Sequence, residues 1–228
     1  MSASRLSNPL ALAVLVLLWE RPMHPYEMST TLRERHKEAS IKLNYGSLYS
    51  VVASLQKYGL IAVQETVREG NRPERTIYAI AEAGKAKMID WLSELISIPS
   101  KEFTGFEAAL SLMPALEPDE VIRLLEMRLG RLQGAYHMSK GLQASLPVGF
   151  PRIFVIETEF RDALLDTEIR FVQTLLHDLK TGQLSGLQGW RRIHELRATG
   201  ASAEEVNAIL ATEFQFGVNE TEAAEGQP

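Results

Sequence analysis

The chain has 228 residues, of which 45% are hydrophobic and none is cysteine, and its formal net charge is −5. This length suits one or two domains, and we expect two. The absence of cysteine excludes disulfides, thiolate metal sites and thiol nucleophiles, and is typical of a reducing compartment, so we expect a cytoplasmic protein. Residues 1–90 hold 12 Lys and Arg against 9 Asp and Glu, a net +3, whereas the remainder holds 12 against 20, a net −8. Only the amino-terminal part therefore suits contact with phosphates.

An apolar helix opens the chain. Residues 10–20 are apolar on almost every side, which predicts a helix at the buried centre of the first domain, capped by Ser7 or Asn8 with Pro9 in its first turn. The run is far shorter than the ~20 residues that cross a bilayer, so we expect no membrane partner. A second helix should begin near Pro25 and extend to about residue 37, with His24 as its capping residue.

A third helix should begin at the N-cap Asn44 and end near residue 57, before Gly59. Its apolar positions recur at helical spacing and should face the core: Leu48, Val51, Val52 and Leu55. The opposite face then carries small or polar side chains: Tyr45, Ser47, Ser50 and Ser54. Small hydroxyls let a helix enter a major groove, and a tyrosine can contact a phosphate or a thymine methyl group. Tyr49 can equally pack against the first two helices.

Two segments after this helix, residues 60–67 and 75–80, alternate apolar with polar residues and are rich in β-branched residues, which predicts a hairpin. Basic side chains surround its turn: Lys57, Arg68, Arg72 and Arg75. Arginines on a projecting loop can reach phosphates or a minor groove. A groove-sized helix followed directly by such a hairpin has the layout of a winged helix and predicts binding to double-stranded DNA. The predicted DNA-binding residues are Lys42, Asn44, Tyr45, Gly46, Ser47, Tyr49, Ser50, Arg68, Asn71, Arg72 and Arg75.

A fourth helix, residues 82–97, should complete a first domain of residues 1–97. Its apolar side is the seam expected where one subunit contacts another: Met88, Trp91, Leu92, Leu95 and Ile96. A short helix near residues 105–113 and two long helices, 118–145 and 151–181, then predict an antiparallel pair in a domain of residues 101–182. The long helices carry wide apolar stripes, Val121, Leu125, Leu129, Leu132 and Tyr136 in the first and Phe160, Leu164, Phe171, Leu175 and Leu179 in the second. One short helix cannot cover these stripes, so we expect a second copy of the chain to do so.

The remaining segment, residues 183–228, should hold two short helices, the second opened by a capping box at Ser202, and a disordered acidic tail from residue 219. Nothing in the chain predicts catalysis. The five histidines lack metal-site spacing, and no phosphate-binding glycine loop or nucleophile elbow is present. We therefore expect no enzyme activity, catalytic residue, metal or cofactor.

Short motifs in the first 97 residues resemble the PadR family of transcriptional regulators. They are Met23-His24-Pro25-Tyr26-Glu27-Met28, Gly46-Ser47-Leu48-Tyr49, Leu55-Gln56-Lys57-Tyr58-Gly59-Leu60-Ile61, and Arg72-Pro73-Glu74-Arg75 followed by Tyr78-Ala79-Ile80 and Glu82-Ala83-Gly84. The resemblance implies a winged helix-turn-helix homodimer that usually represses transcription at a palindromic operator and is released by a small ligand or another signal. Longer members of the family similarly add an α-helical domain that enlarges the dimer contact.

The resemblance also implies an effector site and has three exceptions. In some members, aromatic residues at the dimer seam line an effector cavity, so the predicted effector pocket is Trp91, Phe103, Phe106 and Phe154. Pro25 stands where glycine is common, Asn71 is an extra residue before Arg72, and Ala81 stands where threonine often caps the next helix.

Two alternatives remain open. One is a winged-helix protein-interaction scaffold that does not bind DNA. The other is a MarR-type regulator, which would bury its dimer contact in helices at both chain ends. The sequence as a whole predicts a mainly α protein with a small β-hairpin wing, composed of a winged helix-turn-helix domain and a carboxy-terminal α-helical dimerisation domain.

Overall fold

The computed structural model describes residues 8–42, 44–67, 75–202 and 204–206. This part of the chain forms eight α-helices and a two-stranded antiparallel sheet. Their bounds are α1 Pro9–Glu20, α2 Pro25–Glu34, α3 Tyr45–Lys57, β1 Ile61–Val67, β2 Arg75–Ile80, α4 Glu82–Ser97, α5 Gly105–Leu112, α6 Pro118–Ala144, α7 Ile156–Thr181 and α8 Leu187–Ala198. The chain divides into two compact units, Met1–Glu102 and Phe103–Pro228.

Helix α1 is the buried centre of the first unit, as its composition predicts. The Asn8 side chain caps it, accepting a hydrogen bond from the Leu10 N–H at 3.0 Å, and Pro9 occupies the first position, where no N–H is needed. Leu10, Val14 and Leu15 are fully buried. Helices α2, α3 and α4 and strand β1 pack apolar side chains around α1, among them Met28, Leu48, Leu55, Ile61, Met88 and Trp91.

The predicted hairpin is present and pairs Ile61 with Ile80, with a register shift between Val63 and Glu65. A single residue, Met23, forms an isolated bridge to β2, because the Met23 N–H donates to the Tyr78 carbonyl at 3.0 Å and the Tyr78 N–H donates to the Met23 carbonyl at 3.1 Å. The sequence analysis missed this contact, because a single bridging residue has no alternation pattern. The bridge ties the start of α2 to β2 beside the wing.

Helix α4 lies against the base of the hairpin at a glycine. A Cβ added to Gly84 would lie 2.0 Å from the Leu60 carbonyl oxygen, and that oxygen already accepts a hydrogen bond from the Ala81 N–H at 3.0 Å. Ala81 makes no side-chain cap, as expected where a threonine is missing. The apolar side of α4 is divided: Met88 and Trp91 are buried in the unit's own core, while Leu95 is 56% and Ile96 83% exposed. Met88 and Trp91 thus belong to the unit's own core, and the predicted subunit contact at Leu95 and Ile96 stays a prediction.

The second unit is built on the predicted antiparallel pair, α6 and α7. Within the unit Val121 and Leu125 are buried, whereas Phe160, Leu164 and Phe171 of the predicted α7 stripe are exposed, so their cover by a second copy stays a prediction. The buried stripe of α7 is instead Ile169, Val172, Leu176 and Leu179. Helix α7 has apolar residues on two sides, and periodicity alone does not say which side faces α6.

The start of α7 also differs from the prediction. The helix begins at Ile156 rather than at residue 151, because Arg152–Phe154 forms a separate 3₁₀ turn. The Arg152 guanidinium contacts the Glu159 carboxylate at 2.7 Å and so attaches this turn to the first turns of α7. The hydrogen bonds from Arg152 lower the pKa of Glu159.

A polar cluster lies between α6 and α7. Asp162 is only 3% exposed, and its carboxylate accepts hydrogen bonds from the Ser139 hydroxyl at 2.6 Å and the Gln143 amide at 2.8 Å, with the Lys140 ammonium at 3.1 Å. Burial acts to raise the pKa of Asp162, but the hydrogen bonds from Ser139 and Lys140, the charge of Lys140 and the bond from Gln143 together lower it. The carboxylate therefore stays charged and holds one helix to the other.

Helix α8 belongs to the same core as α6 and α7, although the sequence analysis placed it in a separate segment. Trp190 is buried, and its indole N–H donates to the Leu116 carbonyl at 2.9 Å. The predicted capping box is present, because the Ser202 N–H donates to Glu205 at 2.8 Å and the Glu205 N–H donates to the Ser202 hydroxyl at 3.3 Å. The tail predicted from residue 219 lies outside the described residues.

Candidate nucleic-acid interface

Helix α3 presents one polar face to solvent. Leu48, Val52 and Leu55 are buried in the first unit, so the helix turns its other side outward. Ser47 and Ser50 are exposed on that side, and Tyr49 is 48% exposed. The side chain of Tyr45 lies outside the part that the structure describes. The helix thus offers small hydroxyl groups, a surface able to enter a major groove.

Two of the predicted contact residues also stabilise α3 itself. The Asn44 side-chain oxygen accepts a hydrogen bond from the Gly46 N–H at 2.9 Å, which caps the helix, and the Ser50 hydroxyl donates to the Gly46 carbonyl at 3.0 Å. The Asn44 amide nitrogen and a lone pair of the Ser50 hydroxyl oxygen are not used in these bonds. These two side chains are therefore held in place before any partner arrives.

A concavity of about 350 Å³ lies between α3 and the first turn of α1. Ser47, Ser50 and Ser54 line it from α3, and Asn8 lines it from α1. The sequence analysis did not connect Asn8 with this surface. No sequence pattern would have done so, because only packing brings the start of α1 beside α3.

Arg75, at the loop end of β2, lies near the start of α2. The Nδ1 atom of His24 accepts a hydrogen bond from the Tyr26 N–H at 3.0 Å, which confirms its predicted capping role. Burial lowers the pKa of His24, and the positive charge of Arg75 lowers it further, while Glu27 acts in the opposite direction. The ring therefore remains a neutral acceptor beside Arg75. The predicted wing residues Arg68, Asn71 and Arg72 lie outside the described residues.

The positive charges of the first unit differ in availability. The Arg35 guanidinium binds both carboxylate oxygens of Glu20 at 2.6 and 2.7 Å, and Arg21 contacts Glu27 at 2.5 Å. By contrast, Lys42, Lys57 and Arg75 form no ion pair with any other residue that the structure describes. They are all exposed. Lys42 precedes α3, Lys57 is its last residue and Arg75 opens β2, and all three are available to phosphates.

The predicted effector residues are distributed between the two units. Trp91 is 8% exposed in the core of the first unit. In the second unit, Phe106 makes an edge-to-face contact with Phe171, Phe154 packs beside Phe150, and Phe103 is 84% exposed. That these four residues form one pocket stays a prediction. Phe106 does line a cleft of its own, described below.

Two other kinds of site are absent from the part of the chain that the structure describes. No group of three or more His, Asp or Glu side chains there is placed to hold a metal ion. None of the helices described is both long enough and apolar enough to cross a membrane.

Comparisons with known proteins agree with this geometry. The model of the PadR-like family of transcriptional regulators matches residues 14–90. Bacillus subtilis PadR in complex with operator DNA is 17% identical with a TM-score of 0.60, and covers 75% of this chain and 99% of that one. The same protein in complex with p-coumaric acid is 16% identical with a TM-score of 0.60, covering 75% and 98%.

A PadR-like regulator from Bacillus cereus is 15% identical with a TM-score of 0.52, and covers 78% of this chain and 99% of that one. No curated protein sequence matches the chain significantly. At these identities the structural likeness shows a shared fold, whereas the family match concerns the winged helix itself. Residues 14–90 of this chain are a PadR-like transcriptional regulator domain.

Proposed function

We propose that this chain is a homodimeric repressor that binds a palindromic operator through α3 and the β1–β2 wing. The observation that carries the proposal is the division of α3 into a buried apolar face and an exposed face with Ser47 and Ser50. Lys42, Lys57 and Arg75, which form no ion pair among the described residues, support it, because phosphate contacts supply much of the affinity for DNA. Such a regulator would act in the cytoplasm, where it meets its operator.

Arg75 provides the test of DNA binding. In fluorescence anisotropy with DNA from upstream of the protein's own gene, we expect Arg75→Ala to weaken binding several-fold and to reduce the slope of log affinity against log salt by about 1, because one phosphate contact is lost. Arg21→Ala is the matched control, because Glu27 already neutralises Arg21, and it should bind like the unchanged protein.

The same titration separates this proposal from a protein-interaction scaffold. A scaffold would show no binding by the unchanged protein even at low salt. Binding that Arg75→Ala leaves unaltered in both affinity and salt slope would mean that Arg75 does not contact DNA. Either result would count against the proposed contact surface.

A palindromic operator requires two copies of α3, and the second unit offers a surface to hold them together. Ser139 and Asp162 bond α6 to α7, and the same two helices carry exposed apolar side chains: Met138 is 71%, Leu142 66%, Phe160 66% and Leu164 56% exposed. Burying them against a second copy would remove a large apolar surface from water.

We expect Leu164→Glu to prevent dimer formation, because a carboxylate would be buried in an apolar contact. Light scattering after gel filtration should give the unchanged protein twice the chain mass of 25.5 kDa and give the variant a single chain mass. Val148→Glu, a charge placed on a fully exposed loop, should leave the dimer intact. An unchanged protein that elutes as a single chain would exclude the homodimer.

We also propose that a small ligand controls operator binding. The structure of a Bacillus subtilis relative with p-coumaric acid supports this part of the proposal. Trp91, Phe103, Phe106 and Phe154 remain the predicted effector residues.

A further inference from the structure

A cleft lies within the second unit, between α6 and the segment formed by α5 and the turn after it. Its volume is about 400 Å³, a size at which small-molecule sites are common. Its walls are apolar: Leu110, Met113 and Leu116 line one side, and Leu124, Met127 and Leu132 line the other. The wall is also anchored, because Trp190 of α8 donates its indole N–H to the Leu116 carbonyl at 2.9 Å.

Two arginines reach this apolar cleft, and they differ in their bonding. The Arg128 guanidinium lies 3.7 Å from the centre of the Phe106 ring, and its Nε donates to the Glu168 carboxylate at 2.6 Å. Glu168 therefore neutralises Arg128. Arg131 also lines the cleft, but it has no ion-pair or hydrogen-bond partner among the residues that the structure describes. Arg131 is exposed, so the cleft carries at its rim one positive charge that water, and no described residue, balances.

This charge limits what can fill the cleft. A wholly apolar occupant, such as an apolar helix from a second copy, would cover Arg131 without pairing it, and a buried unpaired charge is costly. A carboxylate would instead accept two parallel hydrogen bonds from the guanidinium. The occupant should therefore join an apolar body to a single carboxylate.

We propose that this cleft binds an amphipathic monocarboxylate, with its apolar body between α5 and α6 and its carboxylate on Arg131. A regulatory role for this cleft rests on the proposed function, whereas ligand binding at the cleft does not depend on it. Of the four predicted effector residues, only Phe106 lines this cleft.

Calorimetric titration of the full chain with decanoate tests the proposal, with decan-1-ol as a neutral probe of the same length. We expect about one decanoate to bind per chain. The dissociation constant of decan-1-ol should be at least about tenfold higher, because the alcohol lacks the charged hydrogen bonds. Arg131→Met should abolish this preference, and Arg131→Lys should retain part of it. Arg170→Met, which changes a cation on α7 that pairs with Asp166, should leave both affinities unchanged.

A second variant addresses the position of the ligand. Ala109 is exposed and lines the cleft, so Ala109→Phe should fill it and abolish decanoate binding without unfolding the unit. The proposal is overturned if decanoate does not bind, if the two probes bind equally, or if Ala109→Phe binds decanoate normally. If decanoate does not bind and Ala109→Phe also splits a dimer in light scattering, the occupant is a second copy. The titration contains no DNA, so it is independent of operator binding.

Discussion

Replacing Gly84 by alanine is expected to lower the free energy of unfolding by about 1–3 kcal/mol, as overpacking usually does. Replacing glycine by alanine within a helix normally raises the free energy of unfolding by up to about 1 kcal/mol, so the change expected at Gly84 has the opposite sign. The reason is the Leu60 carbonyl oxygen, 2.0 Å from where the new Cβ would lie. Backbone at the base of the wing would have to move to admit the methyl group. Urea denaturation followed by circular dichroism measures the change.

Gly46→Ala is the matched control in the same unit. The nearest atom to its new Cβ would be the Asn44 side-chain oxygen, at an ordinary contact distance of 3.6 Å, so we expect its stability to be unchanged or slightly higher. A Gly84→Ala variant as stable as this control would show that α4 does not press against the hairpin as described.

Removing the buried carboxylate of Asp162 should have an effect of similar size in the second unit. We expect Asp162→Ala to cost about 2–3 kcal/mol, because it breaks hydrogen bonds to Ser139 and Gln143 and leaves a buried hydroxyl without its partner. Lys140 is half exposed, so its share of the effect is reduced by solvent. Asp166→Asn, which alters an exposed ion pair on the same helix, is the control and should cost less than about 1 kcal/mol.

The same carboxylate predicts a dependence on pH. The pKa of Asp162 is lower in the folded chain than its ordinary value, so its stabilisation is complete above the unfolded pKa of about 3.9 and is lost as the pH falls through the folded pKa. Unfolding free energies between pH 5 and pH 2 should therefore fall less steeply for Asp162→Asn than for the unchanged protein. Parallel curves for the two proteins would show that Asp162 is not held charged by its neighbours.

Much of the first unit could be predicted from local sequence. The caps at Asn8, His24 and Asn44 depend on side chains that bond to their own helix, so nearby residues suffice to identify them. The wing strands were found for a similar reason, because alternation is visible within one segment. Pro25, one of the departures from the PadR pattern, is the first residue of α2, where a missing N–H has no cost.

Contacts between distant segments could not be predicted in this way. The bridge from Met23 to Tyr78 and the approach of Gly84 to Leu60 each join residues on different elements. The second unit shows the same limit, because its exposed stripe at Phe160 and Leu164 and its buried stripe at Val172 and Leu176 have the same helical period. Only the position of α6 decides between them.

The sequence by itself therefore determined the winged helix, the exposed polar face of its third helix and the antiparallel long helices, because each depends on periodicity and capping within a short segment. Only the tertiary structure decided which apolar side chains stay exposed, why position 84 is glycine, and that Arg131 reaches an apolar cleft without an ion-pair partner in the part of the chain that the structure describes. Those features depend on distances between residues far apart in the chain, which no local pattern records.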